Sequence, residues 1–227
     1  PLIIAAASRY RNQEKELEII KRLLGVGANV DGRNPKGNTP LMLAAGDSST
    51  PEIVPLLLDH GAEVNARDHN GVTPLMFAVH ELGFPEIVKL LIEKGAQVDA
   101  RSNSGSTPLH RAAQASTSNF YVPERMRTEV RKGPLETTQL LLNYGAPVDA
   151  RDEDGNTPLI LAAKGTSRPE YIQLLIENGA EVNALNNDGW TPLMKASRKG
   201  DVGSARELIA AGADIKTCPK NGWPFLR

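Results

Sequence analysis

The stretch "DGNTPLILAAKGTSRPEYIQLLIENGAEVNA", residues 154–184, holds two apolar segments joined by a polar link. Thr157-Pro158 reads as a helix start. The Thr hydroxyl accepts a free backbone N–H, and Pro fits the first helical position. The pair Ala162-Ala163 leaves little side-chain bulk, so a neighbouring helix can approach closely. Pro169 marks the first turn of a second helix, in which Ile172, Leu174 and Leu175 recur at helical spacing. Gly179 ends that helix, because glycine adopts the left-handed cap conformation cheaply. "LNNDG", 185–189, then reads as a turn.

The same unit recurs on either side. "TPL" begins at Thr39, Thr73, Thr107, Thr157 and Thr191, at spacings of 34, 34, 50 and 34, and Pro1-Leu2 is a sixth copy without its Thr, 39 residues before Pro40. Ala pairs recur at Ala44-Ala45 and Ala112-Ala113, and apolar second-helix residues at Ile87, Val88, Leu90 and Leu91. Pro51 and Pro85 repeat Pro169, and Gly61, Gly95, Gly145 and Gly212 repeat Gly179. The turns are "RDHNG", "RSNSG" and "RDEDG". One such unit cannot bury its apolar stripe, but stacked units can.

This unit resembles the ankyrin repeat. The resemblance implies a mainly α solenoid of helix-turn-helix units with hairpin-like turns, curved as a horseshoe. It covers the chain as one domain, 1–227, with repeats at about 1–37, 38–71, 72–105, 106–155, 156–189 and 190–222 and a short stub, 223–227. Two features depart from the family. Its usual His after TPL, bonded to the Thr, survives only as His110; the other copies have Ile3, Met42, Met76, Ile160 and Met194. Each lost bond forgoes on the order of 1 kcal/mol, offset in part by apolar packing. The link between helices is six residues in three copies, where the family usually has five. Pro55 removes a hydrogen bond near the start of its helix, and a local kink is expected there. In the last copy Ser204, Ala205 and Glu207 replace apolar residues, as the polar outer face of a terminal cap would.

The chain has 227 residues, with 26 Lys+Arg against 27 Asp+Glu. That balance argues against a dedicated nucleic-acid binder. No apolar run approaches the roughly 18 residues of a membrane span, so no membrane insertion is expected. Cys218 is the one cysteine, so no internal disulfide forms, and it has no CxxC or His partner at metal-ligand spacing. An intracellular, cytoplasmic setting suits this, and the first residue, Pro1, suggests a fragment or processed product. Of His60, His69, His80 and His110, only the first two are neighbours in sequence, and they fall in the region between helices. The sequence has neither a GxxxxGK[ST] loop nor a GxSxG elbow. Neither catalytic nor metal-binding residues nor a cofactor is expected.

The resemblance implies a monomeric, non-catalytic module that binds a protein partner on a concave face of turn tips and first helices. The tip positions differ between copies: Pro35, Lys36 and Asn38; His69, Asn70 and Val72; Asn103, Ser104 and Ser106; Glu153, Asp154 and Asn156; Asn187, Asp188 and Trp190. Such variation fits a reading surface or the drift of exposed loops. Trp190, in a slot taken as exposed, is either a binding hot spot or packed on a neighbouring tip or on Trp223; Arg198 and Lys199 follow it. Net charge is +3 over residues 1–37, −5 over 38–105 and +4 over 190–227. That pattern steers a partner or is simply a solvated surface. The alternative is a regulatory or targeting segment of a larger enzyme, channel or secreted effector. A third reading is modification: some ankyrin repeats are hydroxylated at the Asn of "VNA", which Asn65 and Asn183 match.

The spacing of 50 comes from "QASTSNFYVPERMRTEVRKGP", 114–134, which makes the link between helices some sixteen residues longer than its counterparts. It carries Phe120, Tyr121, Val122 and Met126 beside Arg125, Arg127, Arg131 and Lys132. "PERMRTEVRKG" is expected to form a short helix after Pro123, stopped at Gly133. The segment is either a basic-aromatic contact surface bordering the groove or a tolerated excursion whose aromatics pack locally. A smaller extension, 7–17, is expected to lengthen the second helix of the first repeat.

Overall fold

A computed structural model describes residues 1–6, 13–47, 51–79, 85–115, 127–164 and 169–217; of residues 13, 14, 115 and 127–132 it describes only the backbone. These residues form helices alone. First helices are α1 (Leu2–Ala5), α3 (Pro40–Ala45), α5 (Pro74–Ala78), α7 (Pro108–Ala115), α9 (Pro158–Ala163) and α11 (Pro192–Lys199). They alternate with second helices α2 (Gln13–Gly25), α4 (Ile53–Asp59), α6 (Pro85–Glu93), α8 (Arg127–Asn143), α10 (Pro169–Glu177) and α12 (Val202–Ala210). First helices pack on first helices in one row, and each packs on the second helix that follows it.

The TPL starts explain the first row. Thr39, Thr73, Thr157 and Thr191 are extended at the cap, and each Oγ1 accepts the N–H three residues on, at 3.2–3.4 Å. The family's missing histidines are replaced partly by sulfur: the N–H groups of Thr39 and Thr191 donate to Sδ of Met42 and Met194 at 3.4 and 3.5 Å. The Ala pairs are buried, and so are Ile87, Val88, Leu91, Ile172 and Leu175 in the second row. Leu90 and Leu174 are only partly covered.

Three local expectations are corrected or refined. The helix of the repeat-four insert does not stop at Gly133; α8 runs through Gly133 and Pro134, both buried, to Asn143. A helical glycine costs only about 1 kcal/mol, and packing outweighs it. Pro134 has no N–H to donate within α8, but the hydroxyls of Thr137 and Thr138 donate to the carbonyls of Gly133 and Pro134 at 2.6 and 2.7 Å. These threonines stand where α6 has Ile87 and Val88. Thr138 Oγ1, having donated to Pro134, accepts from the Tyr171 hydroxyl at 2.5 Å, a buried polar link between α8 and α10.

At Pro55 the effect is a late start: α4 begins at Ile53, whereas α6 and α10 begin on Pro85 and Pro169. A start at Pro51 would press the Pro55 ring onto the Pro51 carbonyl. Starting at Ile53 puts Pro55 in the first turn, where its missing N–H has no intrahelical acceptor. The last helix is not simply polar outside. Ser204 is buried and donates to Asp201 Oδ2 at 2.7 Å, while Val202, Ile209 and the nearby Ile215 are exposed. In the first repeat, α2 has 13 residues, the expected lengthening.

Candidate functional site

Each turn is organised by a short polar side chain at its start. Asn34 Oδ1 accepts the N–H of Lys36 and Asn38, Asp68 Oδ1 those of Asn70 and Val72, and Asn186 Oδ1 those of Asp188 and Trp190. Ser102 Oγ and Asp152 Oδ1 accept from Ser106 and Asn156. The turns then join one another. N–H groups of His69, Asn103, Glu153 and Asn187 donate to the carbonyls of Lys36, Asn70, Ser104 and Asp154 at 2.8–3.2 Å. The glycine of each turn permits this approach. A Cβ on Gly71, whose φ is +72°, would lie 2.9 Å from Asn103 N.

A column of arginines adds a second set of rungs. Arg33, Arg67, Arg101 and Arg151 donate to the carbonyls of Arg67, Arg101, Arg151 and Leu185 at 2.5–2.8 Å. A third set runs behind the turns: Asp31, Asn65, Asp149 and Asn183 accept the N–H of Glu63, Gln97, Glu181 and Asp214. The matching rung from Asp99 would need an N–H from Pro147, which has none. Asn65 and Asn183 also donate through Nδ2 to the carbonyls of Gly95 and Gly212, so both amide arms of the candidate modification residues bridge repeats.

On this frame the tip side chains His69, Asn70, Asp154 and Asn187 are exposed, as are Pro35, Lys36, Asn103, Ser104, Glu153 and Asp188. Asn103 and Asn187 spend their Nδ2 groups on the carbonyls of His69 and Glu153. The position two residues further along is a different matter. Asn38, Val72, Ser106, Asn156 and Trp190 are all buried, which corrects their reading as exposed reading positions. Asn156 accepts from Asn186 Nδ2 at 2.9 Å, and Val72 packs with Met76, Phe77 and Ala100. Trp190 is only 8% exposed. Its ring is covered by Lys195 Nζ and Arg198 Cζ, each 4.7 Å from the centroid. Arg198 and Lys199 are exposed at the end of α11.

The sequence reading missed Lys195, which shares a column with Leu43, Phe77, Arg111 and Leu161. It also missed the arginine column, although its recurrence one residue before each turn was visible. Phe120, Tyr121, Arg125, Trp223, Cys218 and His80 lie outside the described residues, and Arg127 opens α8 with only its backbone described.

The three described histidines, His60, His69 and His110, do not converge. His60 and His69 are exposed, and His60 Nδ1 lies 2.8 Å from the Leu56 carbonyl. His110 is fully buried. Its Nδ1 accepts the Thr107 N–H at 3.2 Å, so that nitrogen is unprotonated, and Nε2–H donates to the Asn156 carbonyl at 3.0 Å. Burial pushes the imidazole below its ordinary value of 6.5. Among the described residues no group of three His, Cys, Asp or Glu side chains is placed to hold a metal ion. No helix among them is long and apolar enough to cross a membrane.

The model of ankyrin repeats (three copies) matches residues 2–102 and 128–217. The chain belongs to the ankyrin-repeat family. No curated protein matches its sequence. The break in the family match, 103–127, takes in α7 and the first part of the insert, and the match resumes beside the first residue of α8. Ankyrin repeats are generally protein–protein interaction modules, and the rungs described here are what hold the tips of this one in register.

Proposed function

We propose that this ankyrin-repeat chain is a non-catalytic interaction module that grips a protein partner with the face made of its turn tips and first helices. The observation that carries this reading is the contrast between frame and tips. Backbone N–H and carbonyl groups join the turns at matching offsets, while the exposed side chains on them differ at each step, from Lys36 through His69 and Asn70 to Asp154 and Asn187. Ordering is prepaid, so a partner that fits the row does not have to freeze it.

The test is capture from a source lysate with three baits: the intact chain, a chain with reversed tip charges (Lys36→Glu, Asp154→Lys, Asp188→Lys), and a chain lacking residues 117–132. These tip residues give only backbone groups to the ladder, so the frame survives the reversal. A partner lost with the reversed tips and kept by the deletion supports the reading. A partner lost only with the deletion moves recognition to the insert. No partner held by the intact chain overturns the proposal.

A further inference from the structure

We propose that Trp190, Lys195 and Arg198, with Lys164 and Lys199 beside them, form a docking site for an acidic polypeptide segment. This rests on the interaction-module reading and names the partner's chemistry at one end of the face. Two cations share the Trp190 ring, each 4.7 Å from its centroid. The ring attracts each of them, but they repel each other. Among the described residues no carboxylate forms an ion pair with Lys164, Lys195, Arg198 or Lys199, whereas Arg22, Arg33, Lys89, Lys94 and Arg151 each have one.

Packing does not require a cation at position 195. Leu43 and Leu161 fill the same column position in other repeats, and Leu161 is buried there. Nor does the helix dipole explain it. Arg198 and Lys199 lie in the last turn of α11, where cations are favoured, but Lys195 lies only four residues from the Thr191 cap. Lys195 is 9% exposed. Its ammonium is pushed down by burial first, then by Arg198 and Lys164, with Asp188 and Asp154 opposing. An incoming carboxylate would relieve that repulsion.

The two aspartates also set the orientation. Asp154 and Asp188 are exposed on the turn tips, and Lys164, Arg198 and Lys199 at the far ends of α9 and α11. An acidic segment is repelled at the tips and held at the helix ends, so it crosses this end of the array along the cationic side.

The chain has two tryptophans, so in Trp223→Phe protein the indole emission reports on Trp190 alone. That protein is titrated with short poly-L-glutamate at low and raised salt. A saturable emission change that weakens with salt is expected, with affinity falling roughly tenfold or more when Lys195→Leu and Arg198→Gln are added. An unchanged circular dichroism melt shows that the added substitutions leave the fold intact. If that melt changes, Arg198→Lys, which keeps the charge, must retain the titration that Arg198→Gln loses. No saturable change, equal affinity in the variants, or equally tight binding of inorganic polyphosphate overturns the inference. A chain that captures a partner from lysate yet fails this titration loses only the inference, not the interaction reading.

Discussion

Protonating His110 would place a hydrogen on Nδ1, against the Thr107 N–H that already donates to it. The Thr107 hydroxyl can turn to accept; the backbone N–H cannot. Unfolding frees the ring to take a proton near 6.5, while the folded chain, with its lowered value, resists until a lower pH. The stabilisation is therefore complete above about 6.5 and is lost as pH falls from there towards the lowered folded value, by at most about 1.4 kcal/mol per pH unit. His110→Met, which copies Met42, Met76 and Met194, is expected to remove this slope from urea midpoints measured between neutral pH and about pH 5. Glycines give a second residue-scale comparison. Gly61→Ala meets only the strain of its φ of +82°, about 1–2 kcal/mol. Gly71→Ala adds a collision with Asn103 and is expected to lower the melting midpoint further. What the sequence hid at this scale is the burial of Trp190. Asn38, Val72, Ser106, Asn156 and Trp190 differ so much that the position reads as a surface, yet all five are buried. Variation alone does not separate an exposed site from a buried one that is filled differently each time.

Helix starts and stops were largely legible, because Thr-Pro and the closing glycines act through their own backbones. The errors came where a neighbour decides. At Gly133 and Pro134, local preference argues for a break, and the packed threonines of α8 override it. The Thr138–Tyr171 contact couples α8 to α10 and is open to a double-mutant cycle. Tyr171→Phe leaves Thr138 still donating to Pro134 and is expected to cost about 1 kcal/mol, whereas Thr138→Val loses both bonds and is expected to cost about 2 kcal/mol. The double variant Thr138→Val, Tyr171→Phe should cost less than the sum in denaturant melts. Strict additivity would show that the two hydroxyls do not act as a pair.

The period of 34 fixed the repeat class before any geometry was known, but the rungs that tie repeats together join residues far apart in sequence. They become visible only when the stack is assembled. The junction between the third and fourth repeats lacks one of these rungs, because Pro147 leaves Asp99 without the N–H that Asp31, Asn65, Asp149 and Asn183 receive elsewhere. Pro147→Gln restores that donor. A hydrogen bond to a charged acceptor gains about 1.5–3 kcal/mol, less about 0.4–1 kcal/mol for the freer unfolded chain. The variant should therefore melt higher, and Asp99→Ala should cancel the gain. An equal gain without Asp99 would mean that the rung is not its cause.

Duplicating residues 68–101 in frame would leave every new junction with the contacts of the old ones: Arg101 would reach the carbonyl of its own copy, and Asp99 would meet the N–H of a second Gln97. Unequal crossing-over by whole units therefore costs the array no rung. An insertion of any other length must be looped out where no rung passes. The extra residues of the fourth repeat fall in sequence between α7 and the packed threonines of α8, and Arg101 still reaches Arg151 across a gap of 50 residues.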